Sequence, residues 1–351
     1  MKEFLSIKAT ENDIARMAGV SQTTVSRVLN NHPSVKASTR LKVMAAIKEM
    51  GFIPDPIARS MVTNKTGTIG LIVGDIANPF YAETAKIIIR DARTKGYDVI
   101  LSDTNDDSDN LQKEMKMLLN RRVDGILIAS VNRWDSFAKE LHQSGFPVIL
   151  FNRKTDDLQM HSVNLDNGQG AQIAVKHLVD LGHRHISFIS GPAKFSTFHE
   201  RYQGFKKALK WYNLPLNQNM IFQGNLTYEE IVYFIKVALS LEESPTSFFA
   251  STDHSAIFVM DAVARMGLKV PEEISIVGFD DIDISSNPYI NLTTISQQKQ
   301  KMASIALEKL LFLIDNPASL QNPSHVTIVP ELIIRGTTAR NRKLHYLEQN
   351  R

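Results

Sequence analysis

Thr10 to Asn30 read TENDIARMAGVSQTTVSRVLN, and local rules alone turn this stretch into two short helices joined by a tight turn. Thr10 with Asp13 three residues on is a capping-box variant, so a helix opens there with Ile14, Ala15 and Ala18 on its apolar face. Gly19 ends it, and Ser21 begins the second helix. There Val25, Val28 and Leu29 face inward, which leaves Gln22, Thr23, Ser26, Arg27 and Asn30 outward as hydrogen-bonding and charged groups. The small Ala15 lets the two helices approach closely, as a helix-turn-helix requires. An isolated polar stripe reads as a solvated face. After a capped helix and a Gly turn it reads as a surface for a nucleic-acid groove.

Working outward, Ser38 is expected to cap a third helix, STRLKVMAAIKEM, whose Leu41, Ala45 and Ile47 close a small core before Gly51 stops it. Next, Asp55 offers an N-cap and Pro56 a first helical position, followed by Ile57, Ala58, Arg59, Ser60, Met61 and Val62. Isolated helices shorter than ~12 residues are marginal in water, so this one is expected to form only when docked.

Charge is unevenly placed. Residues 1–65 hold ten Lys or Arg against five Asp or Glu, an excess of +5 in a chain whose total is +3, which leaves −2 for the rest. The basic end is the end suited to a polyanion. With no cysteine among 351 residues, disulfides, thiol catalysis and thiolate metal sites are excluded. The opening MKEFLSIKATEND turns charged at once and no long apolar segment follows, so a cytoplasmic protein without membrane contact is expected.

From Thr68 onward, apolar runs alternate with helical stretches. IGLIVG, YDVILS, DGILIA, FPVILF and HSVNL read as buried parallel strands, and after Asp166 the rhythm restarts with HISFIS, MIFQG, SFFAST and EISIVGF. Two doubly wound lobes are implied. LTTIS and VTIVPELIIRG near the C-terminus suggest that the chain crosses back to the first lobe. In open parallel sheets ligands bind outside the carboxyl ends of the strands. Asn78, Phe80 and Tyr81 follow the first strand, Asn152 and Arg153 the fourth, and Phe195, Thr197 and Arg201 follow HISFISGP, with Arg201 expected to open a helix. Asp280 ends SIVGFDD, and Gln297 lies on the return crossover. Aromatic rings, amides, an Arg fork and a carboxylate together suit a polyol.

The run DIARMAGVSQTTVSRVLN closely resembles the signature of the lactose/galactose repressor (LacI/GalR) family, and IPDPIARSM resembles that family's hinge helix. IGLIVGDIANPFYAE, GYDVILSDTNDD, RRVDGILIAS, HLVDLGHRHISFISGP, RYQGFKKAL, PEEISIVGFDDI and LTTISQ follow in the family's order, so the resemblance spans roughly the whole chain. It implies an N-terminal all-α helix-turn-helix headpiece (1–53), a hinge helix and linker (54–66), an α/β two-lobed periplasmic-binding-protein-like (type I) effector domain (67–335) and a C-terminal tail (336–351). The first lobe would hold about 67–166 and 296–335, the second about 167–295.

The implied function is a homodimeric DNA-binding regulator, with no cofactor expected, that represses carbohydrate-utilisation genes under a small-molecule effector, a sugar or sugar phosphate. Its partner would be a pseudopalindromic double-stranded operator. Gln22, Thr23 and Arg27 would read the major groove while Ser21, Thr24, Ser26 and Asn30 hold phosphates. Ala58 would meet the minor-groove floor and Met61, where relatives usually carry Leu, would wedge the central step. Arg201 and Asp280 match the family's most recurrent ligand contacts.

Two departures bear on the ligand. Thr252 and Asp253 stand where many sugar-responsive relatives have Asn-Asp, and Leu226 stands where relatives often have an aromatic, which argues mildly against a purine. Nucleoside-responsive and DNA-independent sensors are the competing readings.

Other motifs read as structural. Gly70 and Gly74 bracket a strand instead of following it. Asp103, Asn105, Asp107 and Glu114 have some calcium-loop spacing, yet Ser108 sits where the loop needs Gly. His177, His183 and His185 find no acidic or Cys partner for zinc. No Gly-x-Ser-x-Gly elbow or Walker loop occurs, and an enzyme is not expected. The tail has only Leu344 and Leu347 as helical anchors, too few for a tetramerising coiled coil.

Overall fold

The computed structural model describes residues 9–29, 32–52 and 65–341. The chain divides into two compact units between Thr66 and Gly67.

The first unit holds α1 (Glu11–Ala18), α2 (Gln22–Leu29) and α3 (Ala37–Glu49). The capping box forms as expected: the Thr10 hydroxyl accepts the Asp13 amide at 3.3 Å and the Asp13 carboxylate accepts the Thr10 amide at 3.0 Å. The Thr10 hydroxyl, which donates to the Asp13 carboxylate at 2.6 Å, and then the Thr10 amide hold that carboxyl below its usual range. Gly19 takes φ +65°, the left-handed conformation that ends α1. Ile14, Ala15, Val25, Val28, Val43 and Ala46 make the core.

Here α3 departs from expectation. It begins at Ala37, so Ser38 lies inside the helix, and its inward residues are Val43, Ala46 and Ile47. Leu41 lies two residues before Val43, rotated about 200° at ~100° per residue, and is 72% exposed, while Ala45 is also exposed. The Arg40 guanidinium turns back to donate to the Val28 and His32 carbonyls at 3.4 and 3.2 Å, tying α3 to the end of α2.

The second unit is built on two six-stranded sheets. The first has the order β11-β5-β4-β3-β1-β2, from β1 (Thr68–Val73), β2 (Asp98–Asp103), β3 (Ile126–Ile128), β4 (Val148–Phe151), β5 (Ser162–Leu165) and β11 (His325–Ile328). The second has the order β12-β10-β9-β8-β6-β7, from β6 (Ile186–Ser190), β7 (Ile221–Gln223), β8 (Ser247–Ala250), β9 (Ser275–Asp280), β10 (Thr293–Ser296) and β12 (Glu331–Ile333). All pairings are parallel except β12 with β10. Strand β2 is an edge strand in which only Ser102 is buried, not the buried run its composition suggests.

The chain crosses between lobes after β5, after β10 and after β11. After Gln297 the first lobe holds α11 (Lys299–Asp315), the 3-10 turn Pro317–Gln321 and β11. The expected assignment of 296–335 to that lobe is therefore too long, because β12 pairs with β10 in the second sheet. Residues 336–341, expected as a tail, dock on the second lobe: Thr337 exchanges bonds of 2.8 and 2.7 Å with Ile276, and the Asn341 amide reaches the Leu181 carbonyl at 2.9 Å. The lone antiparallel pairing satisfies the outer edge of β10, which the sequence pattern cannot announce.

Helices α4 (Pro79–Thr94), α5 (Ser108–Asn120) and α6 (Phe137–Gln143) accompany the first sheet, and α7 (Asn167–Asp180), α8 (Ser196–Trp211), α9 (Tyr228–Leu239) and α10 (Asp253–Arg265) the second. Helices α7 and α8 pack closely where Gly204 meets the Gly168 backbone; a Cβ at Gly204 would fall well inside van der Waals contact with the Gly168 carbonyl. Gly204→Ala is therefore expected to lower stability by about 1–3 kcal/mol, measured by denaturant unfolding. An unchanged midpoint would show that the helices do not meet there.

His183 is also structural. Its Nε2 faces the Ala339 carbonyl at 3.1 Å, which makes that nitrogen the donor, and Nδ1 lies 2.9 Å from the Thr246 hydroxyl. Burial pushes the imidazole down to about 4. The unfolded chain then binds a proton that the native state refuses, so stability should fall as pH drops from about 6.5 towards 4, by ~1.4 kcal/mol per unit at most. His183→Gln should flatten that part of a stability-versus-pH curve.

Candidate functional site

On α2 the described polar residues point outward. Gln22, Thr23 and Arg27 are exposed, and Thr24 and Ser26 are half-buried. Ser21 stands just before the helix: its hydroxyl accepts the Thr24 amide at 3.2 Å and lies 2.9 Å from the Thr24 hydroxyl, so the Ser21 side chain caps the helix. Gln22 reaches the Glu11 carboxylate at 3.4 Å. Asn30, Ala58 and Met61, together with the hinge-helix segment, lie outside the described residues.

The second region is a cavity of about 620 Å³ between the lobes. Its position follows from topology. Strand order reverses between β1 and β3 in one sheet and between β6 and β8 in the other, and the cavity wall includes Asp75 and Asn78 after β1, Pro192 and Phe195 after β6, and Thr252 after β8. Among the expected ligand residues, Asn78, Tyr81, Phe195 and Thr252 line it. Asn78 and Thr252 also cap α4 and α10.

Behind these residues lies a buried polar cluster. Arg201 is only 2% exposed; its Nε donates to the Asn167 side-chain oxygen at 2.9 Å, one terminal nitrogen donates to the Ser251 carbonyl, and the same nitrogen is 3.5 Å from the Asp280 carboxylate. The guanidinium lies 3.6 Å from the centre of the Phe279 ring. Gln297 donates to Asp280, and Asn152 donates to the Tyr81 hydroxyl at 3.4 Å. Burial pushes the Asp280 carboxyl up to about 7, opposed by the Arg201 charge and the Gln297 amide. Burial lowers Arg201 to about 10, opposed by Asp280.

Backbone strain concentrates here. Asn105, Asp106, Asn152, Asp280, Asp281 and Gln298 all have positive φ, with Asp280 at 127°. Such residues persist where the surroundings over-determine them. Buried Asn152 Oδ1, Arg153 Nε, Ser190 Oγ, Ser251 Oγ and Gln297 Oε1 have no hydrogen-bond partner, and all five residues sit at or just past strand ends. Buried polar atoms of this kind suit a polar ligand.

The expected places of Phe80, Arg201 and Thr197 need correction. Phe80 is a core residue of the first lobe, because the helical turn after Asn78 points it inward. Helix α8 starts at Ser196, so Arg201 lies more than a turn inside it, and Thr197 is buried in its first turn away from the cavity wall. Asp253 is structural: it accepts bonds from the Ile282 amide at 3.0 Å and the Ser285 hydroxyl at 2.7 Å. Asp103 and Asp107 accept backbone amides, and among the described residues no group of three metal-ligating side chains comes together.

Sequence reasoning missed Asp106 and Asn167. Asp106 grips the Arg153 fork at 2.5 and 3.1 Å, and the Arg153 guanidinium lies 3.7 Å from the centre of the Phe195 ring on the opposite lobe. Both residues follow strands, β2 and β5, so the strand-end rule already contained the signal. Gly74 makes room for the pair, since a Cβ there would collide with the Asp106 carboxylate.

Known proteins match this architecture in both units. Residues 10–55 match the model of bacterial regulatory proteins of the lacI family, and residues 175–338 match the periplasmic binding protein-like domain. Catabolite control protein A of Priestia megaterium is 36% identical over 87% of this chain and 92% of its own length. The chain belongs to the LacI family. As a LacI-family member it is a DNA-binding transcriptional regulator. HTH-type transcriptional repressor PurR of Haemophilus influenzae (strain PittEE) is 35% identical over 93% of the chain and 98% of its own length. The lac repressor dimer bound to operator and the anti-inducer ONPF superposes with a TM-score of 0.83 at 27% identity, covering 95% of this chain and all of that one. A CelR–cellobiose complex superposes with a TM-score of 0.70 at 26% identity, covering 94% and 100%.

The LacI-family cleft gives a direct test of the Arg153–Asp106 pair. A double-mutant cycle with Arg153→Met and Asp106→Ala should show a coupling of about 1–3 kcal/mol in denaturant unfolding. Additive losses would mean that the two side chains do not hold each other.

Proposed function

We propose that this regulator represses carbohydrate-utilisation genes and that a sugar bound between the lobes of its second unit sets its affinity for operator DNA. The observation that carries this reading is the cavity at two topological switch points, walled by hydroxyl-reading side chains from both lobes. A ligand touching both lobes changes their relative angle, which is how binding energy becomes a conformational signal. Arg153 on Phe195 and the 2.9 Å Lys154–Glu200 pair already join the lobes across the gap.

On the DNA side, the exposure of Gln22, Thr23 and Arg27 supports base reading in the major groove, with Ser21, Thr24, Ser26 and Asn30 positioning the helix on phosphates. A homodimer would present two such helices to a pseudopalindromic operator. The lac repressor neighbour is a dimer on its operator, which supports that arrangement. Ala58 and Met61 would then enter the minor groove between half-sites. Induction, in which the sugar loosens DNA binding, is the direction favoured.

A purine-type corepressor is the second reading, and the likeness to repressor PurR favours it. The cavity wall argues the other way. Arg153 already covers a face of Phe195, and Leu226 offers an aliphatic surface where a base would seek a flat one.

The test is operator binding. The protein should hold a pseudopalindromic site far more tightly than random duplex, with affinity falling steeply as salt rises, and Arg27→Ala should relax base preference at one position of each half-site at a cost of about 1–3 kcal/mol. Equal affinity for random duplexes would sink the reading.

A further inference from the structure

The cavity wall carries more acid than base. Asp75, Asp106 and Asp107 line it against Arg153 and Lys194. Both terminal nitrogens of Arg153 are already on Asp106. Lys194 is exposed, with its amine 3.4 Å from the Asp106 carbonyl. Arg201 is turned to Asn167, Ser251 and Asp280. Each guanidinium that could have forked a phosphate therefore has an internal partner.

Helix N-termini are the other common phosphate cradle, and four of them meet this cavity. Their cap residues Asn78, Asp107, Thr227 and Thr252 all line the wall. Each accepts an amide of its own helix, at 3.1, 2.9, 3.4 and 3.1 Å respectively. At α5 the cap is itself a carboxylate, so the helix dipole there is already answered by negative charge. Of the unpartnered buried atoms past the strand ends, Arg153 Nε belongs to a guanidinium whose terminal nitrogens are held by Asp106, and Asn152 Oδ1, Ser190 Oγ, Ser251 Oγ and Gln297 Oε1, behind the wall, are neutral and suit hydroxyls.

We infer that the effector is an uncharged, unphosphorylated saccharide and that the cavity rejects the phosphorylated form of the same sugar. This rests on the sugar reading proposed above. Asp75 and Asp107 act as a charge filter at the wall, and Asp106 acts with them by occupying Arg153.

The experiment measures melting temperature and then titration affinity of the full-length protein with matched pairs. The neutral arm holds glucose, sucrose, maltose, lactose and cellobiose. The charged arm holds glucose 6-phosphate, sucrose 6-phosphate, fructose 1,6-bisphosphate and inorganic phosphate, and a third arm holds hypoxanthine and guanosine. A neutral sugar should bind, and its phosphate should bind at least about tenfold more weakly. The double variant Asp75→Asn/Asp107→Asn keeps side-chain acceptors at both positions, so folding should survive, and it should narrow that gap by at least about threefold. A phosphorylated sugar binding as well as its neutral partner overturns the inference while leaving the sugar reading intact. A gap unmoved in the double variant overturns the charge filter. Binding in the third arm alone, or in none, overturns the sugar reading and this inference with it.

Discussion

The buried Arg201 guanidinium is the constraint on which the interlobe region depends. It takes one partner from the first turn of α7, one from the end of β8 and one from the end of β9, and stacks on Phe279. A buried ion pair is weak evidence for stability, because desolvation offsets its attraction. Its effect here is geometric. With Gln297 also on Asp280, the cluster fixes the first turn of α7, two strand ends and the crossover after β10 relative to one another.

That fixed frame explains where strain accumulates. Asp280 and Asp281 adopt positive φ next to the Arg201 cluster, Asn152 does so beside Tyr81, and Gln298 does so where its side chain bonds to Val329 and Glu331 on the neighbouring crossover. Each is a polar residue held by more bonds than its backbone preference opposes. The lobes are joined by the buried stack of Arg153 on Phe195, by the partly exposed Lys154–Glu200 pair and by the Lys154 amide, which donates to the Ser196 hydroxyl at 2.9 Å.

Much of this was legible in the chain. Thr10, Asp13, Gly19 and the Val25–Val28 pair act locally, so capping and helical periodicity located α1 and α2 correctly. Runs such as IGLIVG and SIVGFD announced buried strands, and the rule that ligands sit past strand ends pointed to Asn78, Tyr81 and Phe195, which lie on the cavity wall. It failed at Phe80, which is one residue from Tyr81 but about 100° away around the helix. Helical periodicity failed at Leu41: it shows that a helix has an apolar face, and only packing shows which of two faces is used.

By itself, the sequence determined the helices, the strands, the two-lobed rhythm and the basic N-terminal end, because these depend on neighbours within a few residues or on summed charge. Tertiary structure decided what lies far apart in the chain. It brought β12 and residues 336–341 back to the second lobe, gave Arg153 to Asp106 across 47 positions, and buried Arg201 against residues 34, 50 and 79 positions away. The physical reason is that a charge's partner is chosen by proximity in a low-dielectric interior, and no local pattern records which distant carboxylate or carbonyl will be there.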